Sequence, residues 1–225
     1  MQWHLLSLFP EAISPYLSSS IIGRGIQQGH LSVSLLNPRD FTTDLHKKVD
    51  DSPYGGGAGM VLACQPMDDA IASLKPFPEG TRILLTSPAG RPFTHQFAVE
   101  LAQCPSVIVL CGHYEGFDER LYQLYPEIEE VSIGDYVLTG GELAALCLVD
   151  ATARLIPGVV QKQSSVEMDS FYDGLLDYPH YTRPADYKGH LVPPVLLSGD
   201  HAKIATWRKA QALEKTQRVR PDLLS

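Results

Sequence analysis

The chain has 225 residues, 44% hydrophobic and 20% charged, with a formal net charge of −8. That composition excludes wholesale disorder, the net charge speaks against a generic nucleic-acid coat, and no stretch approaches the roughly 18 uninterrupted apolar residues of a membrane span. The start, Met1-Gln2-Trp3-His4, lacks a basic region, and Pro10 and Glu11 cut its apolar run short, so no signal peptide is expected.

Trp3 to Phe9 is predicted as a strand, Tyr16 to Gln28 as a helix stopped by Gly29, and Leu31 to Leu36 as a second strand. The segment from Asn37 to Met60 carries prolines and the run Gly55-Gly56-Gly57-Ala58-Gly59, and a loop of that length is more often functional than accidental. Gln65 to Leu74 is predicted helical. Arg82 to Leu85 is a short buried strand ended by Ser87-Pro88. Thr94 to Gln103 is a helix with Thr94 as N-cap, and Ser106 to Leu110 is the most strand-like run in the chain. Val131 to Leu138 reads as extended, and Glu142 to Ile156 as an amphipathic helix ended by Pro157-Gly158. This alternation implies a largely parallel sheet covered on both faces.

Beyond it the sequence turns polar. Residues 158–170 are expected to be a linker between a domain at 1–157 and a small, mostly helical one at 171–225, in which Ala202 to Leu213 is the clear helix. Charge divides similarly: residues 1–150 carry 8 basic and 18 acidic side chains, residues 151–225 carry 10 and 8. Such asymmetry fits either a solvated helix face or a tail that meets a polyanion. The four cysteines, Cys64, Cys104, Cys111 and Cys147, sit in apolar segments without a CxxC pair, which reads as reduced core thiols of a cytoplasmic protein.

The nucleotide and hydrolase fingerprints are missing. There is no P-loop, the glycines at 23–25 and 57–59 do not complete a dinucleotide motif, and neither H-E-x-x-H nor G-x-S-x-G occurs. The eight histidines show no ligand spacing, so no metal site is expected from them. Three turns remain, each at the carboxyl end of a predicted strand: Leu85-Thr86-Ser87-Pro88, Gly112-His113-Tyr114-Glu115-Gly116, and Ile133 through Gly141. Ligands collect at such edges, and glycines let the backbone approach a flat heterocycle. Pattern alone leaves plain turn chemistry equally open.

Read as longer motifs, these residues carry a resemblance. The segments Asn37-Pro38-Arg39-Asp40-Phe41, Val49-Asp50-Asp51-Ser52-Pro53-Tyr54-Gly55-Gly56-Gly57-Ala58-Gly59-Met60, Cys111 through Arg120, Ser132 through Leu143, Asp169-Ser170-Phe171, Pro179 through Pro184 and Val192 through Gly199 together resemble the bacterial tRNA (guanine-N1)-methyltransferases, which belong to the knotted (SPOUT) methyltransferases. The pattern departs at Ala144, where the family usually has proline. The resemblance implies methylation of the guanine just 3′ of the anticodon, S-adenosylmethionine as donor, and a deep trefoil knot in the front domain. It also implies a homodimer with shared active sites and suggests magnesium dependence.

By the family pattern, Ser87, Pro88, Gly112, Tyr114, Glu115, Ile133, Gly134, Tyr136, Leu138, Gly140 and Gly141 line the donor site, Asp169 is the general base and Arg154 the cation at guanine O6. By local pattern alone Asp169 reads rather as a helix N-cap and Arg154 as a C-terminal helix residue favoured by the macrodipole, and the resemblance reverses both readings. Asp50 and Asp51 are candidates for contacts near the target base or for magnesium. Candidate RNA contacts are His180, Tyr181, Arg183, His201, Lys203, Arg208, Lys209 and Lys215, and the RNA expected is the anticodon stem-loop of tRNA.

Overall fold

The computed structural model describes residues 1–162 and 166–224. Residues 163–165, inside the expected linker, lie outside the described residues. The chain divides into two compact units, Met1–Gln161 and Lys162–Ser225.

The larger unit is built on a five-stranded sheet of β1 (Gln2–Leu6), β2 (Ser32–Leu36), β5 (Arg82–Pro92), β6 (Ser106–Leu110) and β7 (Ile128–Ser132). The order is β2-β1-β6-β5-β7 and every pairing is parallel. The central strand β6 is buried along its whole length, and its SVIVL run alternates between two cores. Val107 and Val109 join Trp3, Leu5 and Leu84 on one face. There they meet α1 (Pro10–Leu17), α2 (Ser20–Gln27), α4 (His95–Ala102) and α6 (Glu142–Ala153). Ile108 and Leu110 join Leu6, Ile83 and Leu85 on the other, against α3 (Cys64–Ala72) and α5 (Arg120–Leu124). Burial on both faces explains the near-continuous apolar strand sequences.

Several boundaries differ from the sequence reading. The first helical region is two helices, because Pro10 occupies the first turn of α1, where a missing N–H costs nothing, and the chain breaks at Ser18-Ser19. The 37–60 segment contains a 3₁₀ turn at Pro38–Asp40 and a two-residue antiparallel ribbon, β3 (Asp50–Asp51) with β4 (Val61–Leu62), both too short for periodicity to register. β7 starts three residues earlier than expected. Its Glu129 is paired bidentately by Arg82, so a charged dipeptide sits comfortably on an edge strand. The helix α6 ends at Ala153 rather than Ile156. Of the four thiols only Cys111 is fully buried, and Cys147 is exposed on α6.

One irregularity shapes the sheet's carboxyl edge. β5 does not end at Ser87-Pro88. It bulges there and resumes, so that both Thr86 and Arg91 register against Val131. Gly90 makes the return possible, since a Cβ there would overlap Val131 N and lie 2.7 Å from Glu130 O. At α4 Thr94 is the N-cap, its hydroxyl accepting from Phe97 N at 3.2 Å.

The smaller unit is organised on α8 (His201–Val219), capped by Asp200, whose carboxylate accepts from Lys203 N. It also holds α7 (Pro194–Leu197) and a hairpin of β8 (Asp186–Tyr187) and β9 (His190–Leu191), turned by Lys188 and Gly189 at φ +55° and +83°. The stretch before the hairpin docks on α8 through Leu176 N to Thr216 Oγ1 (2.9 Å) and Lys215 Nζ to Asp177 O (3.1 Å).

Replacing Gly90 with valine would force the two strands apart. Denaturant unfolding is expected to report a loss of about 1–3 kcal/mol, with no such loss for Ala89→Val one residue earlier, where the side chain is exposed.

Candidate functional site: a cleft at the carboxyl edge of three strands

Because β6, β5 and β7 are adjacent, the loops that leave their carboxyl ends emerge side by side. They enclose a cleft of about 460 Å³, within the roughly 300–1,000 Å³ range of small-molecule sites. The β5 bulge contributes Ser87 and Pro88. The loop after β6 contributes Gly112, Tyr114 and Glu115. The segment between β7 and α6 contributes Ile133, Gly134, Tyr136, Leu138, Gly140 and Gly141. All eleven residues expected at a donor site therefore line one cavity.

The three loops are tied together at a single junction. Thr86 Oγ1 donates to Leu110 O (3.2 Å) and accepts from Gly112 N (3.0 Å), joining the ends of β5 and β6. Gly141 N donates to Gly112 O at 2.8 Å, which brings the segment from β7 back across β5. The approach leaves no room for a side chain: a Cβ at Gly141 would overlap Thr86 Oγ1 and sit 2.6 Å from Gly112 N. Ala144, in the first turn of α6, closes the wall beside it.

A buried carboxylate braces the same junction. Glu142 begins α6 and is almost wholly buried. One oxygen accepts from Ser7 Oγ at 2.5 Å, and both lie 2.9 Å from His113 Nε2. A carboxylate only accepts, so Nε2 carries the proton. Glu142 thus links the end of β1, the β6 loop and the start of α6. Sequence reasoning quoted Thr86, His113 and Glu142 within motifs but gave them no role, and the one available signal was a glutamate directly after Gly-Gly at the head of an otherwise apolar helix.

Tyr114 has φ +57°, a left-handed conformation that costs a non-glycine residue about 1–2 kcal/mol. It is held by Glu115 N to Met60 O (2.9 Å) and Gly116 N to His113 O (3.1 Å). The first of these bonds, with Leu62 N to Gly116 O (2.8 Å), docks the glycine-rich segment after β3 against this loop. Strain so overdetermined is a mark of a functional position.

The cleft's charge is one-sided. Glu115, Glu119 and Glu130 line it, and no lysine or arginine does. Tyr122, also in the wall, donates to Glu130 at 2.9 Å, and burial together with that carboxylate raises its phenol far above the ordinary value, keeping it neutral. Such a lining suits a cationic ligand with apolar parts and disfavours a polyphosphate.

The two catalytic candidates lie in different units. Arg154 is the exposed C-cap of α6, its N–H donating to Asp150 O. Asp169 is half-buried in the turn that follows Val166, with its N–H donating to Val166 O at 3.2 Å. Of the RNA-contact candidates in the smaller unit, all are exposed except Lys215, which is half-buried and donates to Asp177 O. Asp50 and Asp51 form β3.

The whole chain, residues 1–225, matches the family model described as tRNA (guanine-1)-methyltransferase TrmD. Curated relatives named tRNA (guanine-N(1)-)-methyltransferase are similar along its full length. The Geobacter metallireducens protein is 54% identical over 224 residues, covering 100% of this chain and 91% of the relative. The Exiguobacterium sp. protein is 54% identical with 92% of it covered, and that of a Synechococcus strain is 52% identical over 225 residues with 89% covered.

Glu142→Ala would leave the Ser7 hydroxyl and the His113 N–H without their acceptor. A stability loss on the order of 1–3 kcal/mol is expected. Because the two groups share the bond, Ser7→Ala combined with Glu142→Ala should cost less than the sum of the single changes in denaturant unfolding.

Proposed function

Since the chain belongs to the tRNA (guanine-1)-methyltransferase family, we propose that its cleft holds S-adenosylmethionine and that it methylates the guanine immediately 3′ of the anticodon. Membership itself makes the protein an enzyme that methylates guanine N1 in tRNA. The observation that carries the donor assignment is the lining of the cleft: acidic and apolar, without lysine or arginine, around a backbone junction too tight for a Cβ. A sulfonium with an adenine and an aminoacyl tail fits that chemistry, and a nucleoside triphosphate does not. Ser87, Pro88, Gly112, Tyr114, Glu115, Ile133, Gly134, Tyr136, Leu138, Gly140 and Gly141 are the residues that would hold it.

When bound, S-adenosylmethionine supplies an electrophilic methyl group. The chain must do the rest. Guanine N1 carries a proton at neutral pH and is a poor nucleophile until that proton leaves, so a base must stand within hydrogen-bond reach. Asp169 takes this role. As the proton departs, negative charge moves onto O6, where the Arg154 guanidinium stabilises it as a donor does in an oxyanion hole. Alignment of nucleophile and methyl is worth about 7–11 kcal/mol in favourable systems, and the fixed loops of the cleft supply one half of that alignment. Asp169 lies in the other unit, next to the segment that leads into α8, so docking of RNA on that unit is what brings the base into use.

The family's remaining features are part of the same proposal. Residues 1–157 form the catalytic domain with its deep trefoil knot, residues 158–170 the linker, and residues 171–225 the tRNA-binding domain. The return of the β7–α6 segment past β5 to Gly112 supports a crossing at that point. A homodimer with active sites shared between subunits is supported by the outward face of α6, where Leu143 is 61% exposed beside exposed Cys147. Tyr16 of α1 joins this face, its hydroxyl donating to Asp150 at 2.5 Å, which pushes the phenol up to about 12. Among the described residues no three His, Cys, Asp or Glu side chains gather as a metal site, so a magnesium ion would have to be shared with RNA phosphates. No helix among the described residues is long and apolar enough to cross a membrane. A tRNA substrate and four thiols outside any disulfide support a cytoplasmic location.

Asp169→Asn should retain donor affinity and lose about 10²–10⁴-fold in single-turnover methyl transfer. Arg154→Ala should lose about 10²–10³-fold. Near-normal turnover in either variant contradicts its assigned role, and mass analysis of the product nucleoside identifies the methylated atom.

A further inference from the structure

We propose that the smaller unit carries a second recognition site, one that takes a single unstacked nucleotide of the RNA other than the target guanine. The proposal rests on the tRNA substrate above. The site is a cavity of about 260 Å³ between the segment before the hairpin, Val192 just after β9, α7 and α8. That is below the roughly 300–1,000 Å³ of drug-sized pockets, and suits one heterocycle rather than a cofactor.

Its floor is apolar, from Val192, Leu196 and Ile204. One wall is already a stack. The Arg208 guanidinium carbon lies 4.8 Å from the centre of the Tyr178 ring, and that ring lies 4.7 Å from His180. The stack is braced from behind. His180 Nε2 is 2.7 Å from Asp177 Oδ2, while Asp177 N donates to Ser170 Oγ (2.9 Å) and Asp177 O accepts from Lys215 Nζ (3.1 Å). A wall held this way loses little side-chain entropy when a ligand arrives.

The polar groups at the rim are uncommitted. Among the described residues the Arg183 guanidinium, the Tyr181 hydroxyl and the Thr182 hydroxyl have no hydrogen-bond partner, and neither Arg183 nor Arg208 forms an ion pair. No carboxylate is among the described residues that line the cavity, and Asp177, next to Tyr178 in sequence, is paired with His180. An aromatic face, an apolar floor, free donors at the edge and two unpaired guanidinium groups fit a base stacked on a ring with its phosphate at the rim. A free phosphate would use the cations and leave the aromatic wall idle.

The test uses the full-length protein and a set of anticodon stem-loop RNAs. In one set 2-aminopurine replaces one single-stranded nucleotide at a time, and in another an abasic residue does. At one position other than the target guanine, 2-aminopurine emission should fall on binding, and the abasic RNA should bind roughly ten- to a hundred-fold more weakly, as expected for a lost base–aromatic stack. Arg208→Gln and Tyr181→Ala should weaken binding of the intact RNA and be nearly insensitive to the abasic change at that position alone. Arg208→Gln, at an exposed helix position, keeps the test open should the tyrosine variant unfold.

If both variants weaken every RNA equally and no position changes emission, the cavity is only a phosphate contact and the proposal fails. Methylation of the unmodified RNA by the wild-type protein is measured alongside. Its absence would overturn the catalytic reading, whereas normal methylation without a sensitive position overturns the second site alone.

Discussion

The site depends on one close contact. The segments that leave three adjacent strands are joined where Thr86 bonds Leu110 and Gly112, and where Gly141 bonds Gly112 from the far side. Only a residue without a Cβ can occupy position 141. Everything that lines the cleft is hung from this junction: the bulge of β5, the strained Tyr114 turn and the start of α6. Glu142 secures it from beneath through Ser7 and His113. A backbone-built cavity of this kind is rigid without being highly charged, so it can hold a cation that a lysine-lined pocket would repel.

Charge is divided unevenly between the two units. The cleft excludes basic side chains, although it belongs to an enzyme whose substrate is a polyanion. The basic and aromatic groups that suit RNA are on the smaller unit, on and around α8. On the proposed reading, this arrangement keeps phosphates from competing for the cleft and gives the segment bearing Asp169 a reason to respond to RNA. It also accounts for the uneven charge along the sequence, which the single net value of −8 conceals.

The sheet and its helices were legible because their signals are repetitive: SVIVL at β6, the Thr94 cap and the apolar run of α6 each satisfy a local rule over several residues. Short elements escaped, since the β3–β4 ribbon and α5 offer two to five residues and no period. The division of α1 from α2 was hidden because Pro10 reads as a breaker until its place at the first turn is known. The expected amphipathic character of α6 was only half right: its buried face is Ala144, Ala145, Leu148, Val149 and Thr152, but its outer face presents Leu143 and Cys147 to solvent. At the site the glycine turns could be read as a ligand edge, and the eleven residues drawn from the resemblance do share one cavity. Thr86 and Glu142 could not be assigned from sequence, because their partners are 24 and 135 residues away.

Calorimetric titration of the intact protein with S-adenosylmethionine, wild type beside Gly141→Ala, addresses the central claim most directly. One added methyl group at the junction should weaken the donor by about a hundred-fold or more, equivalent to roughly 3 kcal/mol, while the unfolding transition remains cooperative. Tight binding in the alanine variant would mean that the donor is held elsewhere and that this junction is not the foundation of the site.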